Sequence, residues 1–368
     1  MRMQQDPRLG LASVLAGFAV DGPAGPIEPL GKGLINLSFR VSAGGRDWVL
    51  QRLNGEVFAH PERIMANLRL LAGQGARAST LGLKIPALVP GRDGSPFVRG
   101  ADGSLWRLME LIPDAITLAR LESSHQAREV GRVLGRFHRL AADLPREGLE
   151  VSLPGFHHTP TYLARHLRAR GLAQDLADTD PAALEDCLDQ VDARRDLAEV
   201  LETARARGRV AERVIHGDPK LDNILFDATG GRALALIDLD TVQPGLIQQD
   251  LGDCLRSCCN RMGESPQGRA RPAFDLGLCA AILGGYGQEA ASLLRRGDIE
   301  VLYDSIRLLP FELALRFLTD HLEGDRYFRV DHRGQNLEKA RTQLDLLADI
   351  ELKEPAIRRI IADAFAPS

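Results

Sequence analysis

Residues 214–227 read VIHGDPKLDNILFD, a charged stretch between two apolar runs. A Gly-rich turn and a further apolar run, LALIDLDT at 234–241, follow it. Apolar runs of this length, bounded by Gly and polar residues, predict short β-strands. We therefore expect the side chains of Asp218, Asn223 and Asp238 to meet where the charged loop joins the last of these strands.

The types and spacing of these three residues favour phosphoryl transfer. That reaction needs a carboxylate that orients the attacking hydroxyl and oxygen ligands that hold Mg²⁺ beside the phosphates. Asp218 and Asn223 have the D-x-x-x-x-N spacing of kinase catalytic loops, and Asp238 follows where those enzymes keep a second metal-binding Asp. The alternative is a polar loop in which Asp and Asn act only as turn and cap residues.

Two neighbours of Asp218 have predicted supporting roles. Lys220 lies two residues further on, where its ammonium can stabilise charge that develops on the transferring γ-phosphate. His216 is expected to brace the loop by hydrogen bonding rather than to act as a base, because the Asp218 carboxylate is better placed for proton transfer. The alternative is a packing role without chemistry.

Upstream of residue 113 the sequence alternates as β-strands do. LINLSFRVS places the apolar residues from Ile35 to Val41 on one face, AGGR supplies a turn, and DWVLQRL returns as the second strand. A second hairpin turns at the Asp-Gly pair 102–103, and HPERIMANLRLLAGQGA at 60–76 predicts a helix between the two hairpins.

Glycines ahead of the first hairpin predict a segment that covers phosphates. GKGLINLSFRV places Gly31 and Gly33 before the strand, where backbone N–H groups can approach an anion closely. Asn36 and Ser38 are expected to add polar contacts. A lone G-x-G motif is weak evidence for a phosphate site. Its position in the first hairpin, ahead of the charged loop, is the stronger argument.

Beyond Pro113 and Asp114, which form a plausible linker, the periodicity becomes helical. HQAREVGRVLGRFHRLAADL at 125–144 carries one apolar stripe. Further helices are predicted at 161–171, 182–206, 288–308 and 336–350. The chain therefore reads as a small β-rich lobe, a hinge, and a mostly helical lobe that contains the charged hairpin.

Composition limits the function classes. The chain has 368 residues, 44% hydrophobic and 26% charged, with a net charge of −4, so nothing favours a nucleic acid polymer or a membrane as partner. The N-terminal residues suit an amphipathic helix better than a signal peptide. Five cysteines without CxxC pairs predict reduced thiols, packed in the core of a cytoplasmic protein.

With its HGDxxxxN loop and later metal-binding Asp, the sequence resembles the aminoglycoside phosphotransferase and choline kinase superfamily. Five further blocks resemble the N-acetylhexosamine 1-kinase branch: LINLSFRV, VLQRLNGEVFAHPERIM, LPGFHHTPTYL, IDLDTVQPGL with DLGDCLRS, and ELALRFLTDHLEGDRYF with NLEKARTQ. The resemblance implies an α+β, protein-kinase-like fold with two lobes. Residues 1–109 would form the nucleotide-binding lobe, 110–114 the hinge, and 115–368 the helical lobe.

The resemblance also implies roles for individual residues. Asp218 would be the catalytic base, Asn223 and Asp238 would bind Mg²⁺, and the backbone around Met109 and Leu111 would hold ATP at the hinge. The V-A-I-K lysine of protein kinases is missing, because this chain reads Val-Leu-Gln-Arg at 49–52. Arg52 is therefore a candidate phosphate clamp, with Glu62 as a weak candidate partner.

The acceptor is expected on the helical lobe. Glu312, Arg316 and Asp320 share one helix stripe, which is either a surface ion-pair ladder or a set of groups that bind sugar hydroxyls, together with Asp325 and Tyr327. The adjacent histidines at 157–158 are either turn anchors or acceptor contacts, and alone do not make a metal site.

The sequence thus predicts an ATP- and Mg²⁺-dependent kinase of a small molecule, with an N-acetylhexosamine as the best-matched acceptor and Asp218 beside its hydroxyl. The alternatives are a kinase of another hydroxyl compound, such as an aminoglycoside, choline, ethanolamine or homoserine, and a nucleotide-binding pseudokinase. The small number of Trp and Tyr residues argues mildly for a neutral sugar. The oligomeric state stays open, a homodimer included.

Overall fold

The first part of the chain forms an antiparallel sheet from the two predicted hairpins. The structure, a computed structural model, describes residues 10–31, 35–145, 148–172, 180–263 and 272–366. The strands of this sheet are β1 Ala24–Pro29, β2 Leu37–Ala43, β3 Arg46–Arg52, β4 Leu88–Val89, β5 Val98–Arg99 and β6 Leu105–Glu110. Their order is β1, β2, β3, β6, β4, and β5 also pairs with β6.

Both predicted hairpins are confirmed, β2 with β3 and β5 with β6, each antiparallel. The first strand of the first hairpin, β2, begins at Leu37, later than predicted. Ile35 lies before it and is 40% exposed. Of the predicted apolar face, Phe39 and Val41 are the buried members.

The two faces of this sheet meet different surroundings. Helix α1, Leu11–Ala16, packs on the face that carries Phe39, Leu50 and Leu108. Because successive side chains of a strand point to opposite faces, Gln51 and Arg107 lie on the other face. Arg107 hydrogen-bonds Asp240, so this second face looks toward the C-terminal part of the chain.

The remainder of the chain is mostly helical. Helices α2 Pro61–Ala72 and α3 Gly75–Thr80 lie between the hairpins. The later helices are α4 Ser124–Ala141, α5 Thr159–Leu172, α6 Pro181–Asp192, α7 Val200–Ala206, α8 Ile247–Cys258, α9 Leu276–Ala290, α10 Arg296–Glu300, α11 Leu302–Leu322, α12 Gln335–Leu352 and α13 Glu354–Ala364. The predicted helices at 161–171 and 336–350 are confirmed, as α5 and α12.

Two other predicted helices differ from the structure. The range 182–206 contains α6 and α7, separated by a 3₁₀ turn at Arg195–Glu199. The range 288–308 is mostly helical, as predicted, but it is not one helix: it contains the end of α9, all of α10 and the start of α11. A capping interaction explains the break: the Asp298 carboxylate accepts the backbone N–H of Arg295 at 2.8 Å and starts α10.

The charged loop joins strands of two different small sheets. Its first strand, β8 Arg213–Ile215, pairs with β11 Gln243–Gly245. Its second strand, β9 Ile224–Asp227, lies between β10 Ala233–Leu236 and β7 Ala115–Ile116. The two apolar runs around the loop are therefore strands, as predicted, but they do not pair with each other.

Helices α4 and α9 form the centre of the main core and cross at close range. A Cβ atom on Gly131 of α4 would lie 1.9 Å from the carbonyl oxygen of Ile282 in α9. All five cysteines are free and buried, as the sequence predicts for core packing. No helix within the described ranges is both long and apolar enough to cross a membrane. With about 51% helix and 15% strand in antiparallel sheets, the fold class is α+β.

We expect Gly131→Ala to destabilise the protein, because the added methyl group would overlap the backbone of α9. Overpacking of this kind costs about 1–3 kcal/mol. Gly284→Ala is the matched control, because a Cβ there meets no atom within 4 Å. It should be neutral or stabilising by up to about 1 kcal/mol. Urea denaturation measures both, and equal midpoints for Gly131→Ala and wild type would contradict the close crossing.

Candidate active site

A buried carboxylate of α8 holds the start of the charged loop. Asp250 accepts the backbone N–H groups of His216 at 2.7 Å and Gly217 at 2.8 Å, and it binds Nε2 of His138 at 2.8 Å. Burial alone would raise the pKa of Asp250, but the hydrogen bond and charge of His138 outweigh it and lower that pKa. The loop therefore rests on an ionised, fully bonded side chain.

His216 braces the loop, as predicted. Its buried ring accepts the backbone N–H of Asp218 at Nδ1, at 3.2 Å, and Nε2 lies 3.0 Å from the carbonyl oxygen of Ile237. This pattern needs a neutral ring with the proton on Nε2, and burial lowers the pKa of His216 accordingly. Gly217 has φ 87°, and a Cβ there would lie 2.8 Å from the Thr241 carbonyl oxygen, so glycine is required.

Asp218, Lys220 and Asn223 meet at the open side of the loop. Oδ2 of Asp218 accepts Nζ of Lys220 at 2.6 Å and Nδ2 of Asn223 at 3.0 Å. Nδ2 of Asn223 also donates to the carbonyl oxygen of Asp218 at 2.8 Å. These bonds leave Oδ1 of Asp218 and Oδ1 of Asn223 without a hydrogen bond from the described residues.

Asp238 supplies a second carboxylate at this place. Its backbone is left-handed, with φ 60° and ψ 56°, which is strained for a residue other than glycine. The residue is exposed to solvent, although many protein atoms lie around its carboxylate. Burial, and then the charge of Asp240, raise the pKa of Asp238 to about 7, while Lys220 opposes this effect.

The donor atoms of Asn223 and Asp238 fit a magnesium ion. Both side chains offer hard oxygen ligands, and the negative charge of Asp218 nearby also raises the pKa of Asp238. Within the described ranges, no group of three or more His, Cys, Asp or Glu side chains forms a metal cage. Two protein ligands still suit Mg²⁺, because it usually keeps several waters and binds substrate phosphates.

The predicted phosphate segment before β2 is described in part. Gly31 has φ 72° and is exposed, whereas Gly33 lies outside the described residues. The prediction for Asn36 needs correction: its Nδ2 donates to Asp240 at 2.6 Å and its Oδ1 accepts the backbone N–H of Asn54 at 3.0 Å. This amide ties the segment to the helical part and is not free for a phosphate.

Ser38 and Met109 lie on the sheet face that looks toward the loop. Oγ of Ser38 accepts Nε2 of Gln51 at 2.8 Å, and Met109 shares its face with Arg107. The backbone N–H of Leu111 donates to the Asp47 carbonyl oxygen at 3.3 Å, so this N–H group already has a hydrogen-bond acceptor within the protein. The nucleotide roles of Ser38, Met109 and Leu111 stay predictions.

The prediction that Arg52 clamps phosphates is wrong in this arrangement. Arg52 lies on the face of β3 that α1 covers, and its Nη2 donates to the Asp102 carboxylate at 2.8 Å in the turn between β5 and β6. Its weak candidate partner Glu62 instead pairs with Arg99 at 2.5 Å. The alternation of side chains along β3 turns Gln51, and not Arg52, toward the loop.

Arg316 of α11 is surrounded by aromatic rings. Its guanidinium carbon lies 5.4–5.9 Å from the ring centroids of four side chains, those of Phe156, Tyr162, Tyr327 and Phe328. No hydrogen bond or ion pair joins this guanidinium to another described residue. Its charge interacts with that of Asp218, and its guanidinium lies beside the ring of Tyr327.

The predicted acceptor roles of Asp320 and Asp325 need correction. Asp320 is 2% exposed and accepts the backbone N–H groups of residues 326–328 at 2.7–2.8 Å and Nδ2 of Asn336 at 2.9 Å. Asp325 accepts Nδ2 of Asn336 at 2.8 Å and Nη1 of Arg333 at 2.7 Å. Both carboxylates hold the loop that presents Tyr327, and the four hydrogen bonds of Asp320 use its acceptor capacity.

A buried histidine connects α11 to the catalytic loop. His157 binds Glu312 through Nδ1 at 2.8 Å and the Gly217 carbonyl oxygen through Nε2 at 2.7 Å. Burial alone would lower the pKa of His157, but the charge and hydrogen bond of Glu312 raise it to about 9. The ring is therefore a charged double donor, which makes His157 a turn anchor. Glu312 is its partner and not part of a surface ladder.

The sequence interpretation missed several residues that support the site. Asp250, His138, Arg107 and Asp240 all act through partners distant in sequence, such as His138 with Asp250 and Arg107 with Asp240. The one local signal was acidic character in the first turn of α8, which is common at helix N-termini.

We expect the His157 interaction to make stability depend on pH. A pKa raised from 6.5 to about 9 gives stabilisation that is complete below pH 6.5 and is lost as the pH rises through 9. His157→Gln removes the charge, so its melting temperature should fall furthest below wild type at about pH 6.5 and below, and the gap should narrow as the pH rises through 9. His158→Gln, at the exposed neighbouring position, is the control. A gap that is constant with pH would contradict the charged ring.

Comparison with known proteins places this site in a family. A family model described as "Phosphotransferase enzyme family" matches residues 26–292, which is most of the chain and includes the whole charged loop.

Solved structures share the fold. An aminopropanol kinase associated with a microcompartment is 17% identical with a TM-score of 0.64, and the match covers 94% of this chain and 97% of that one. An aminoglycoside phosphotransferase from Alicyclobacillus acidocaldarius is 14% identical with a TM-score of 0.63, over 99% and 97% of the two chains. A spectinomycin phosphotransferase, solved with ADP and spectinomycin, is 14% identical with a TM-score of 0.58, over 92% and 95%.

At these identities the likeness shows the fold alone, and it confirms the predicted kinase-like architecture with an antiparallel N-terminal sheet and a helical C-terminal part. Together with the match to the family model, it leads to one conclusion: the chain belongs to the phosphotransferase enzyme family.

Proposed function

We propose that the protein is a small-molecule kinase that uses ATP and Mg²⁺ and transfers the γ-phosphate to a hydroxyl group. The observation that carries the proposal is the set of polar side chains at the open side of the catalytic loop. Asp218 is held through Oδ2 by Lys220 and Asn223, which leaves Oδ1 for an acceptor hydroxyl. A pseudokinase has no need to retain Asp218, Asn223 and Asp238 together.

In this mechanism Asp218 orients the acceptor hydroxyl and takes its proton. The proton moves to Oδ1 as the new O–P bond forms and the bond between the γ-phosphate and ADP breaks. Lys220 stabilises negative charge on the transferring group. Asn223 and Asp238 would hold Mg²⁺, which would neutralise phosphate charge when bound.

The nucleotide would lie beneath the sheet face that carries Ser38, Gln51 and Met109. We assign residues 1–109 to the nucleotide-binding lobe, 110–114 to the hinge and 115–368 to the acceptor-binding lobe. ATP would meet the chain near Met109 and Leu111 at the hinge and near Gly31 at the phosphate end. The free thiols suit a reducing compartment, so we place the reaction in the cytoplasm.

For the acceptor we propose an N-acetylhexosamine, phosphorylated at its anomeric hydroxyl. Arg316 supports this choice, because a guanidinium near Asp218 repels an acceptor that carries an ammonium group. The hydroxyl and amide oxygens of an N-acetylhexosamine accept hydrogen bonds from the same guanidinium. Tyr327 is 39% exposed and offers its ring to the apolar face of a sugar.

Asp218→Asn should abolish most transfer. Loss of a general base costs about 10²- to 10⁴-fold in turnover, whereas affinity for ATP should stay within a few fold because Asp218 contacts the acceptor. Asp222→Asn makes the same charge change at an exposed position of this loop and is the control. Steady-state kinetics and calorimetric ATP titration measure both effects. Retained turnover in Asp218→Asn would refute the assignment.

Arg316→Met should raise KM for N-acetylhexosamines about 10- to 100-fold, the loss expected for hydrogen bonds from a charged donor. The KM for ATP should not change. Arg296→Met, which removes a positive charge at a side chain that is 93% exposed, is the control.

Acceptors should be screened with wild type and Arg316→Met together, using GlcNAc, GalNAc, homoserine, ethanolamine and an aminoglycoside. Phosphorus NMR then identifies the phosphorylated hydroxyl. Transfer to ethanolamine or the aminoglycoside, with none to a hexosamine, would overturn the proposed acceptor and leave the phosphotransferase reaction intact. Homoserine is the sharpest competitor, because its carboxylate also pairs with a guanidinium.

A further inference from the structure

The strand that carries a lysine in protein kinases turns an uncharged side chain toward the cleft here. In those enzymes the β3 lysine binds ATP phosphates and pairs with a helix glutamate. Gln51 occupies the inward position near the end of β3, because Arg52 lies on the opposite face and pairs with Asp102. The positive charge of the small lobe must therefore come from another residue.

A buried arginine on the neighbouring strand carries a positive charge inside the protein. Arg107 lies opposite Gln51 in the pairing of β3 with β6 and is 1% exposed. Its Nε and Nη2 donate to Oε1 of Gln51 at 2.9 and 2.7 Å, and its Nη1 donates to Oδ1 of Asp240 at 2.5 Å. The guanidinium is thus fixed between the sheet and the helical part.

Asp240 joins the sheet to the segment that contains Asp238. Its Oδ1 binds Arg107, and its Oδ2 accepts Nδ2 of Asn36, from the segment before β2, at 2.6 Å. Ser152 donates to its carbonyl oxygen at 2.8 Å. Asp240 belongs to the 3₁₀ turn that starts directly after Asp238. The Asp240 carboxylate therefore links β6 and the segment before β2 to the backbone next to Asp238, a proposed metal ligand.

We propose that Arg107 and Asp240 form an interlobe ion pair that replaces the lysine–glutamate pair of other kinases. In this role Arg107 is a positioning residue: through Asp240 it holds Asp238 in its left-handed conformation. This inference rests on the proposed function, because it gives the pair a role in binding Mg²⁺ and a nucleotide.

A purely structural contact between the lobes offers a matched comparison. Asn67 of α2 also bridges to the helical part: its Nδ2 donates to the carbonyl oxygens of Val242 and Glu150, both at 2.8 Å. This residue is 1% exposed and carries no charge. Asn67→Ala therefore weakens contact between the same parts of the chain without removing a buried charge.

The test measures binding of ADP with Mg²⁺ by calorimetry and the melting temperature without ligands, for wild type and for four variants. Arg107→Met should weaken binding about 10- to 100-fold, and Arg107→Lys should restore part of the loss. Arg107→Met combined with Asp240→Asn removes both buried charges, so it should recover melting temperature but not affinity. Asn67→Ala should melt earlier yet bind within about threefold of wild type, because no charge is lost.

Two results would overturn the inference while leaving the proposed function intact. In the first, the Arg107→Met, Asp240→Asn double variant binds Mg²⁺ and ADP as tightly as wild type, which would show that the pair only packs. In the second, Asn67→Ala loses as much affinity as Arg107→Met, which would show that lobe contact alone matters. Absence of binding by wild type itself would instead refute the proposed function.

Discussion

The catalytic loop depends on one buried carboxylate, that of Asp250. A carboxylate in the protein interior is costly unless every lone pair has a partner, and here two loop amides and the ring of His138 supply them. Because the bonds go to the backbone of His216 and Gly217, they fix the chain just before Asp218. The Asp218 side chain therefore projects from a rigid support, which is what precise positioning requires.

The same loop is held from two further directions by paired charges. From the helical side, the His157 ring joins Glu312 to the Gly217 carbonyl oxygen. From the sheet, Arg107 reaches Asp240, beside the strained residue Asp238. A buried ion pair contributes little net stability compared with apolar side chains in its place. It still favours one arrangement strongly, because any arrangement that separates the partners leaves a buried charge unpaired. Buried ion pairs and hydrogen bonds thus fix the positions of the site residues, while the apolar core supports them.

Local patterns predicted the hairpins, α2, α5, α12 and the charged loop, because alternation, helical spacing and turn residues are read from neighbours in sequence. The sheet face on which each side chain lies was harder to predict, because a shift of one residue along β3 exchanges Gln51 for Arg52. Asp320 looked available because the backbone amides that satisfy it lie in a loop without a sequence signature. Asp325 looked available because its partners are side chains 8 and 11 residues further on. Asp250 and Arg107 went unnoticed because their partners lie far away along the chain.

The aromatic surroundings of Arg316 have a consequence for how tightly an acceptor binds. A long, flexible side chain normally loses conformational entropy when it binds a ligand. Here the rings already confine the guanidinium before any acceptor arrives. Binding then orders little more of the protein, so the interaction retains more of its favourable free energy. A preorganised cation of this kind would also make acceptor preference hard to change by altering surface loops alone.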